Sequence, residues 1–179
     1  MPHVQSQPQH RVQPAQKNVE ALPPLEETLV RPVWDEVVID EMWSFIGCKA
    51  CQAWIWLVVS RSSLQVVAFF VGARDLESAQ ALWQQVPSPW CDGLVFTDGF
   101  SVYPALFGDR PHKHCPCPKA EPGTWGETSI AEGTNNALRQ RVSYLGRKSA
   151  AFARSLFWLN SRLRWFLHRY NLRQAKRWG

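Results

Sequence analysis

Between Val37 and Val71 the chain carries three apolar runs parted by two short polar breaks, and this succession limits the possible folds more than any other feature. Val37 to Ile46 reads as a strand that is apolar on both faces at its start, which suits a central place in a sheet. Gly47-Cys48-Lys49-Ala50-Cys51 reads as a hairpin turn, Ala53 to Val59 as a second strand, and Leu64 to Val71 as a third, closed by Gly72. Strands joined this tightly run antiparallel. Asp40 interrupts the first run. A carboxylate there is costly to bury unless it meets a cation or a donor, so Asp40 is either a ligand or a residue at an open sheet edge. Glu41 points to the other face and is the weaker candidate.

Downstream the periodicity changes. Asp75 to Trp83 has helical spacing, with Leu76, Ala79, Leu82 and Trp83 on one side and an acid-rich first turn. Pro87, Pro89 and Gly93 mark a loop. Leu94 to Gly99 reads as a short buried strand with Asp98 at its carboxyl end, where α/β sheets commonly place ligands. Ser101 to Phe107 reads as a short helix. A helix from Ser129 puts Glu132, Asn136 and Arg139 at i, i+4 and i+7, so that one face offers a metal ligand, an amide and a guanidinium to a phosphate backbone. Glu127, just before that helix, is the rival third acid.

This order predicts an α/β fold, a ribonuclease-H-like mixed sheet flanked by helices with a C-terminal helical extension. Residues 1–33, rich in Pro, Gln and Val, are expected to be a flexible leader, and residues 34–179 one catalytic domain with basic C-terminal helices. Asp40, Asp98 and Glu132 then lie on three elements that can converge, as a two-metal phosphoryl-transfer site needs, with two Mg²⁺ ions roughly 4 Å apart.

Charge points to the partner. Glu132 is the last acidic residue, and eleven basic residues follow it from Arg139 to Arg177. The net charge of +5 is thus strongly asymmetric, a pattern that favours a polyanion, nucleic acid foremost. No apolar run is long enough to span a membrane and the N-terminus lacks a signal-peptide core, so a cytoplasmic, nucleoid-associated location is expected. Five cysteines, an odd number, fit a reducing compartment rather than a disulfide framework.

The motifs Asp40-Glu41-Met42-Trp43-Ser44-Phe45-Ile46-Gly47, Phe96-Thr97-Asp98-Gly99-Phe100 and Glu132 followed by Asn135-Asn136-Ala137-Leu138-Arg139-Gln140-Arg141 resemble the catalytic part of the bacterial insertion-sequence-one transposases. Leu145-Gly146-Arg147-Lys148-Ser149, Phe152-Ala153-Arg154-Ser155 and Phe166-Leu167-His168-Arg169-Tyr170-Asn171 continue the likeness, which covers about residues 35 to 172. The resemblance implies a DDE transposase that cuts and joins DNA at the ends of its element. Its catalytic and metal-binding triad would be Asp40, Asp98 and Glu132, holding two ions of Mg²⁺ or Mn²⁺. Asn136, Arg139, Arg141, Arg147, Lys148 and Arg154 would contact the element ends and the target. A homo-oligomer on DNA is implied, as is an upstream-frame zinc-ribbon and helix-turn-helix region, this chain corresponding to the second reading frame.

Two local departures accompany the likeness. Ser60-Arg61 stands where the family usually has Asp-Arg, and the stretch between Asp98 and Glu132 is longer than usual around Cys115 to Lys119. The alternative readings are an inactive, truncated nucleic-acid-binding remnant, or a ribonuclease-H-like nuclease or resolvase.

Two further patterns carry expectations. Cys48 and Cys51 with His112, His114, Cys115 and Cys117 could on paper assemble a zinc site, but ordinary thiols are the expectation. The last helix, from about Ala150 to Tyr170, is expected to bury Phe152, Leu156, Leu159, Leu163, Leu167 and Tyr170. Arg154, Trp158, Arg162, Trp165 and Arg169 form a separate stripe suited either to DNA or to the rim of the core.

Overall fold

The computed structural model describes residues 21–31, 34–108, 129–145 and 152–178, and the backbone alone of 115–116. Its centre is a five-stranded sheet in the order β3-β2-β1-β4-β5. The strands are β1 (Val37–Ile46), β2 (Cys48–Ser60), β3 (Val66–Gly72), β4 (Val95–Thr97) and β5 (Cys115–Pro116). β2 is antiparallel to both β1 and β3, whereas β4 is parallel to β1 and β5 parallel to β4. The helices are α1 (Leu76–Trp83), α2 (Ser88–Cys91), α3 (Val102–Phe107), α4 (Ser129–Arg141) and α5 (Leu156–Trp178). The mixed α/β, ribonuclease-H-like arrangement expected from the strand order is therefore present.

Both faces of the sheet are covered, which is why β1 begins without alternation. Val37 and Ile39 pack with Trp56, Val58, Leu82, Trp90 and Tyr103 on the side of α1, α2 and α3. Val38 and Met42 pack with Leu57, Leu138, Leu159, Leu163 and Leu167 on the side of α4 and α5. Each such fully buried aliphatic side chain contributes on the order of 1.5–3 kcal/mol relative to exposure.

Asp75 caps α1 by accepting from the Ser78 N–H at 2.9 Å. The loop expected at Pro87 to Gly93 contains α2, whose Trp90 is fully buried. Trp90 donates its indole N–H to Asp35 at 3.2 Å, and Asp35 also accepts from the Glu36 N–H at 2.8 Å and the Ser62 hydroxyl at 2.8 Å. Ser60, the residue that departs from the family's usual acid, donates its hydroxyl to the same Asp35. A carboxylate is thus present at the end of β2, supplied by a different part of the chain. Gly93 is required here, because a Cβ would lie 1.8 Å from the Asp35 carbonyl oxygen.

The last helix differs from expectation at both ends. It begins at Leu156 and runs to Trp178. Ser155 sets its start, accepting from the Trp158 N–H at 3.3 Å through its hydroxyl. Just before it, Ala153 bridges Ile46 and accepts from the Gly47 N–H at 2.8 Å, so this stretch follows the end of β1 and does not coil. Phe152 and Leu156 are consequently exposed, at 37% and 46%, while Leu159, Leu163, Leu167 and Tyr170 are buried as expected.

Of the residues assigned to a leader, 21–31 are described, and they lie against α5. Leu25–Thr28 form a 3-10 turn, and the Arg164 guanidinium donates to the Leu22 carbonyl at 2.6 Å. A buried amide pair fastens this segment. Asn171 donates to the Val66 carbonyl at 2.8 Å and to the Thr28 hydroxyl at 3.0 Å, and accepts from the Val66 N–H at 2.8 Å. Gln65 donates to the carbonyls of Thr28 and Asn171 and accepts from the Val30 N–H at 2.8 Å. Strand, helix and N-terminal segment thus share one set of satisfied buried groups.

Two stability outcomes follow. Leu163→Ala is expected to cost about 2–5 kcal/mol in chemical denaturation, the range for deleting a buried leucine side chain. Asn171→Leu, which keeps the branching but is larger and cannot hydrogen-bond, leaves the Val66 N–H and carbonyl unpaired and is expected to cost on the order of 2–4 kcal/mol. A loss below 1 kcal/mol in the second variant would show that the amide pair does not fasten these elements.

Candidate active site

Parallel pairing of β1 with β4 sets Val38 beside Phe96. Continuing that register by two residues brings Asp40, midway along β1, next to Asp98, the first residue after β4. Carboxylate oxygens of Asp40, Glu41 and Asp98 lie within 4.8 Å of one another. The Asp98 side chain accepts from the Phe100 N–H at 2.9 Å, which fixes the turn off β4. Asp40 accepts from the Glu41 N–H at 2.9 Å through one oxygen and from the Asn135 amide of α4 at 2.5 Å through the other.

Glu41 is buried on the opposite side of β1 and already has partners. Arg74 grips one oxygen at 2.9 and 2.6 Å, and the Tyr103 hydroxyl donates to the other at 2.7 Å. The Arg74 guanidinium in turn lies over the rings of Trp54 and Phe100, at 4.7 and 4.0 Å. Burial and the Glu41 carboxylate hold the Tyr103 phenol well above its ordinary value, so it remains a donor. Glu41 therefore completes a structural ion pair at the back of the site. Glu41 points to the face of β1 opposite Asp40, as the alternation along a strand requires.

Among the described residues, Asp40 has no such cation. Burial chiefly, then the neighbouring Glu41, with further contributions from Asp98 and Glu132, pushes its carboxyl up to about 7, against the hydrogen bond from the Glu41 N–H. A carboxyl that holds its proton to neutral pH marks unmet demand for positive charge. The donors facing that demand are carboxylate oxygens, the hard ligands that suit Mg²⁺ or Mn²⁺. The residues thus fit a divalent ion.

Glu132 approaches from α4. It is exposed and stands outside the tight group of three acids, but it lines an open cleft of about 260 Å³ together with Glu41, Met42, Trp43, Asn135, Asn136 and Arg139. The face expected to carry Glu132, Asn136 and Arg139 does turn toward this cleft. Asn135, the residue that ties α4 to Asp40, was not singled out for a role. Its neighbour at i+4 from Glu132 fitted the helical face better, and only the packing of α4 on β1 selects position 135.

Arg141 and Arg154 are exposed, and Arg147, Lys148 and Glu127 lie outside the described residues. On α5 the exposed Trp165 has the Arg169 guanidinium at 5.0 Å, and Arg162 lies over Tyr144 at 5.4 Å. Cys48 and Cys51 are exposed, with their sulfurs 3.2 Å apart at the β1–β2 turn. Cys115 pairs with Phe96, at the other end of β1 from Ile46 and Cys48. About 26 Å of strand separates the two places, so the cysteines of the turn and Cys115 do not share one zinc ion. His112, His114 and Cys117 lie outside the described residues. Among the described residues, no helix is long and apolar enough to cross a membrane.

Comparison with known proteins agrees with this geometry. A family model described as IS1 transposase matches residues 36–173. The chain is 28% identical over 158 residues to the Insertion element IS1 2 protein InsB of Escherichia coli (strain K12), covering 87% of each chain. It is 30% identical over 118 residues to the Insertion element iso-IS1n protein InsB of Shigella dysenteriae, covering 66% of this chain and 82% of that one.

The state of Asp40 makes stability depend on pH. Folded, the carboxyl keeps its proton to about 7, and its ordinary value is 3.8, so the folded form binds more protons between those limits. Stability from this group falls as pH rises through that window, and the penalty is complete above it. At about 1.4 kcal/mol per pH unit, reduced for partial solvent access, the penalty is on the order of 2–3 kcal/mol. Asp40→Asn is therefore expected to raise the melting temperature at pH 8 and to leave it unchanged near pH 4. Added Mg²⁺ should raise that of the parent at pH 8 and not that of the variant. A gain that persists at pH 4 would place its origin elsewhere.

Proposed function

The chain belongs to the IS1 transposase family, and from that premise we propose that it catalyses DNA strand cleavage and strand transfer at the ends of an insertion sequence through a DDE-type site. The observation that carries this reading is the pairing of β1 with β4, which sets Asp40 against Asp98 while Asn135 ties the Glu132 helix to Asp40. In this reading Asp40, Asp98 and Glu132 hold two divalent ions, Mg²⁺ or Mn²⁺. When bound, these supply the charge neutralisation and oxygen activation that phosphoryl transfer requires.

The chain's own residues do the rest. Asn135 fixes the orientation of the Asp40 carboxylate, leaving Glu132, one turn earlier on the same helix, to reach the same centre from the cleft. Asn136 and Arg139 offer an amide and a guanidinium to the phosphates of the strand being cut. Arg74, held between Glu41 and two rings, offsets the negative charge behind the site without entering it. Arg141, Arg147, Lys148 and Arg154 extend the basic surface toward the rest of the DNA. Recognition of the element ends is assigned to an upstream zinc-ribbon and helix-turn-helix region, with oligomerisation on DNA.

Strand transfer with pre-cut linear ends of the element, a supercoiled target plasmid and Mg²⁺ or Mn²⁺ tests the site without asking it to recognise ends. Joining is expected, and Asp40→Asn, Asp98→Ala and Glu132→Gln should each reduce it by about a thousandfold or more, as loss of a charge-stabilising group does. Arg139→Ala should reduce it about 10- to 100-fold, with a shallower dependence of DNA binding on salt. Joining that persists in Asp98→Ala would overturn the triad. DNA binding without joining, even with the upstream region present, would assign the chain to an inactive remnant.

A further inference from the structure

We propose that Trp43, Phe45 and Phe152 form a shelf that stacks unpaired nucleobases of the DNA strand whose backbone enters the adjacent cleft. The proposal rests on the transposase reading and extends it to a substrate feature, a frayed or single-stranded terminus beside the cut.

Trp43 and Phe45 stand two residues apart on β1 and so share a face of the strand. Their ring centroids are 5.6 Å apart, and Phe152 continues the row 6.0 Å from Phe45. Trp43 and Phe152 are 36% and 37% exposed. The planes of these neighbours are inclined by only 37° and 32°. Trp43 and Phe152 thus keep part of their ring surface open to solvent, as a stacking platform requires.

The backbone explains how such a row stays open. β4 pairs only with Val37 and Val38, so among the described residues the edge of β1 away from β2 has no strand beside it from Asp40 until Ile46 meets Ala153. The same bridge holds Phe152 at the far end of the row, one residue before Ala153 and two before the exposed Arg154. Trp43, at the near end, lines the cleft that holds Glu132, Asn136 and Arg139. The row therefore leads away from the candidate phosphate-binding residues and ends beside a cation.

Its dimensions favour nucleobases over a protein partner. Three rings expose far less than the roughly 1,000 Å² a stable protein interface needs, but they match the faces of two or three bases. Bases inside a duplex are stacked on each other and cannot offer a face, so the occupant must be unpaired. Stacking of this kind is indifferent to sequence, which suits the reactive end of a strand rather than its recognition.

The test uses the full chain without divalent metal and a labelled duplex carrying a short single-stranded extension. A second duplex carries the same extension built from abasic sites, which keeps the phosphates and removes the bases. The parent chain is expected to bind the base-bearing extension at least about tenfold more tightly than the abasic one. Phe152→Ala and Trp43→Ala should bring that ratio close to one, while Phe152→Tyr and Trp43→Phe, which keep a ring, should largely preserve it. Equal affinity of the parent for the two extensions overturns the proposal. A concentration-dependent dimer that disappears in Phe152→Ala would likewise overturn it, by assigning the row to a second copy of the chain. Strand transfer measured in parallel separates the two readings. Base preference without joining would remove the catalytic assignment and leave the shelf, and joining without base preference would do the reverse.

Discussion

Asp40 and Asp98 repel each other, and the parallel register of β1 and β4 holds them together regardless. Two backbone pairs, Val37 with Val95 and Val38 with Phe96, fix this register, and both strands are buried on each face at that point. Packing of Val38 and Phe96 on one side and of Val37 and Val95 on the other therefore opposes the electrostatic cost at the strand ends. That cost appears in the high proton affinity of Asp40, and a divalent ion would relieve it. The site is thus less comfortable without metal than with it, which is the expected condition of a carboxylate cluster that works by holding one.

Adjacent acids on one strand have taken opposite tasks. Glu41 faces the helices that follow β3 and is fully engaged by Arg74 and Tyr103, so its charge is balanced inside the fold. Asp40 faces α4 and, among the described residues, receives only neutral donors, from the Glu41 backbone and from Asn135. Period-two geometry produces this split from two consecutive residues. Farther along the same strand, Trp43 and Phe45 continue toward Phe152 as a row whose two ends stay partly exposed.

The long last helix is held at two distant points. Near its start Ala153 is pinned to the end of β1, and near its end Asn171 replaces a missing backbone partner for Val66. These contacts keep α5 and the basic residues it carries in fixed register with the sheet and with the cleft. They also bring residues 21–31 into the structure, since Thr28 serves both Gln65 and Asn171.

Local patterning was enough to place the strands of the hairpin region, α1, α3, the helix of Glu132 and the general α/β order, because each has a period or turn signal within a few residues. The acids at 40, 98 and 132 stood out for the same reason, as charges in apolar runs or at the head of an acid-free basic stretch. The apolar spacing of Phe152 and Leu156 argued for a helix start earlier than the one that Ser155 caps. Only the bridge of Ala153 to Ile46 decided against that spacing. The Glu41–Arg74–Tyr103 group, the Asn135–Asp40 bond, the Asp35 carboxylate beside Ser60 and the separation of Cys115 from the β1–β2 turn had no local signal. Each joins residues far apart in sequence, and strand register and helix docking, which arise only when the whole core packs, determine which of them meet.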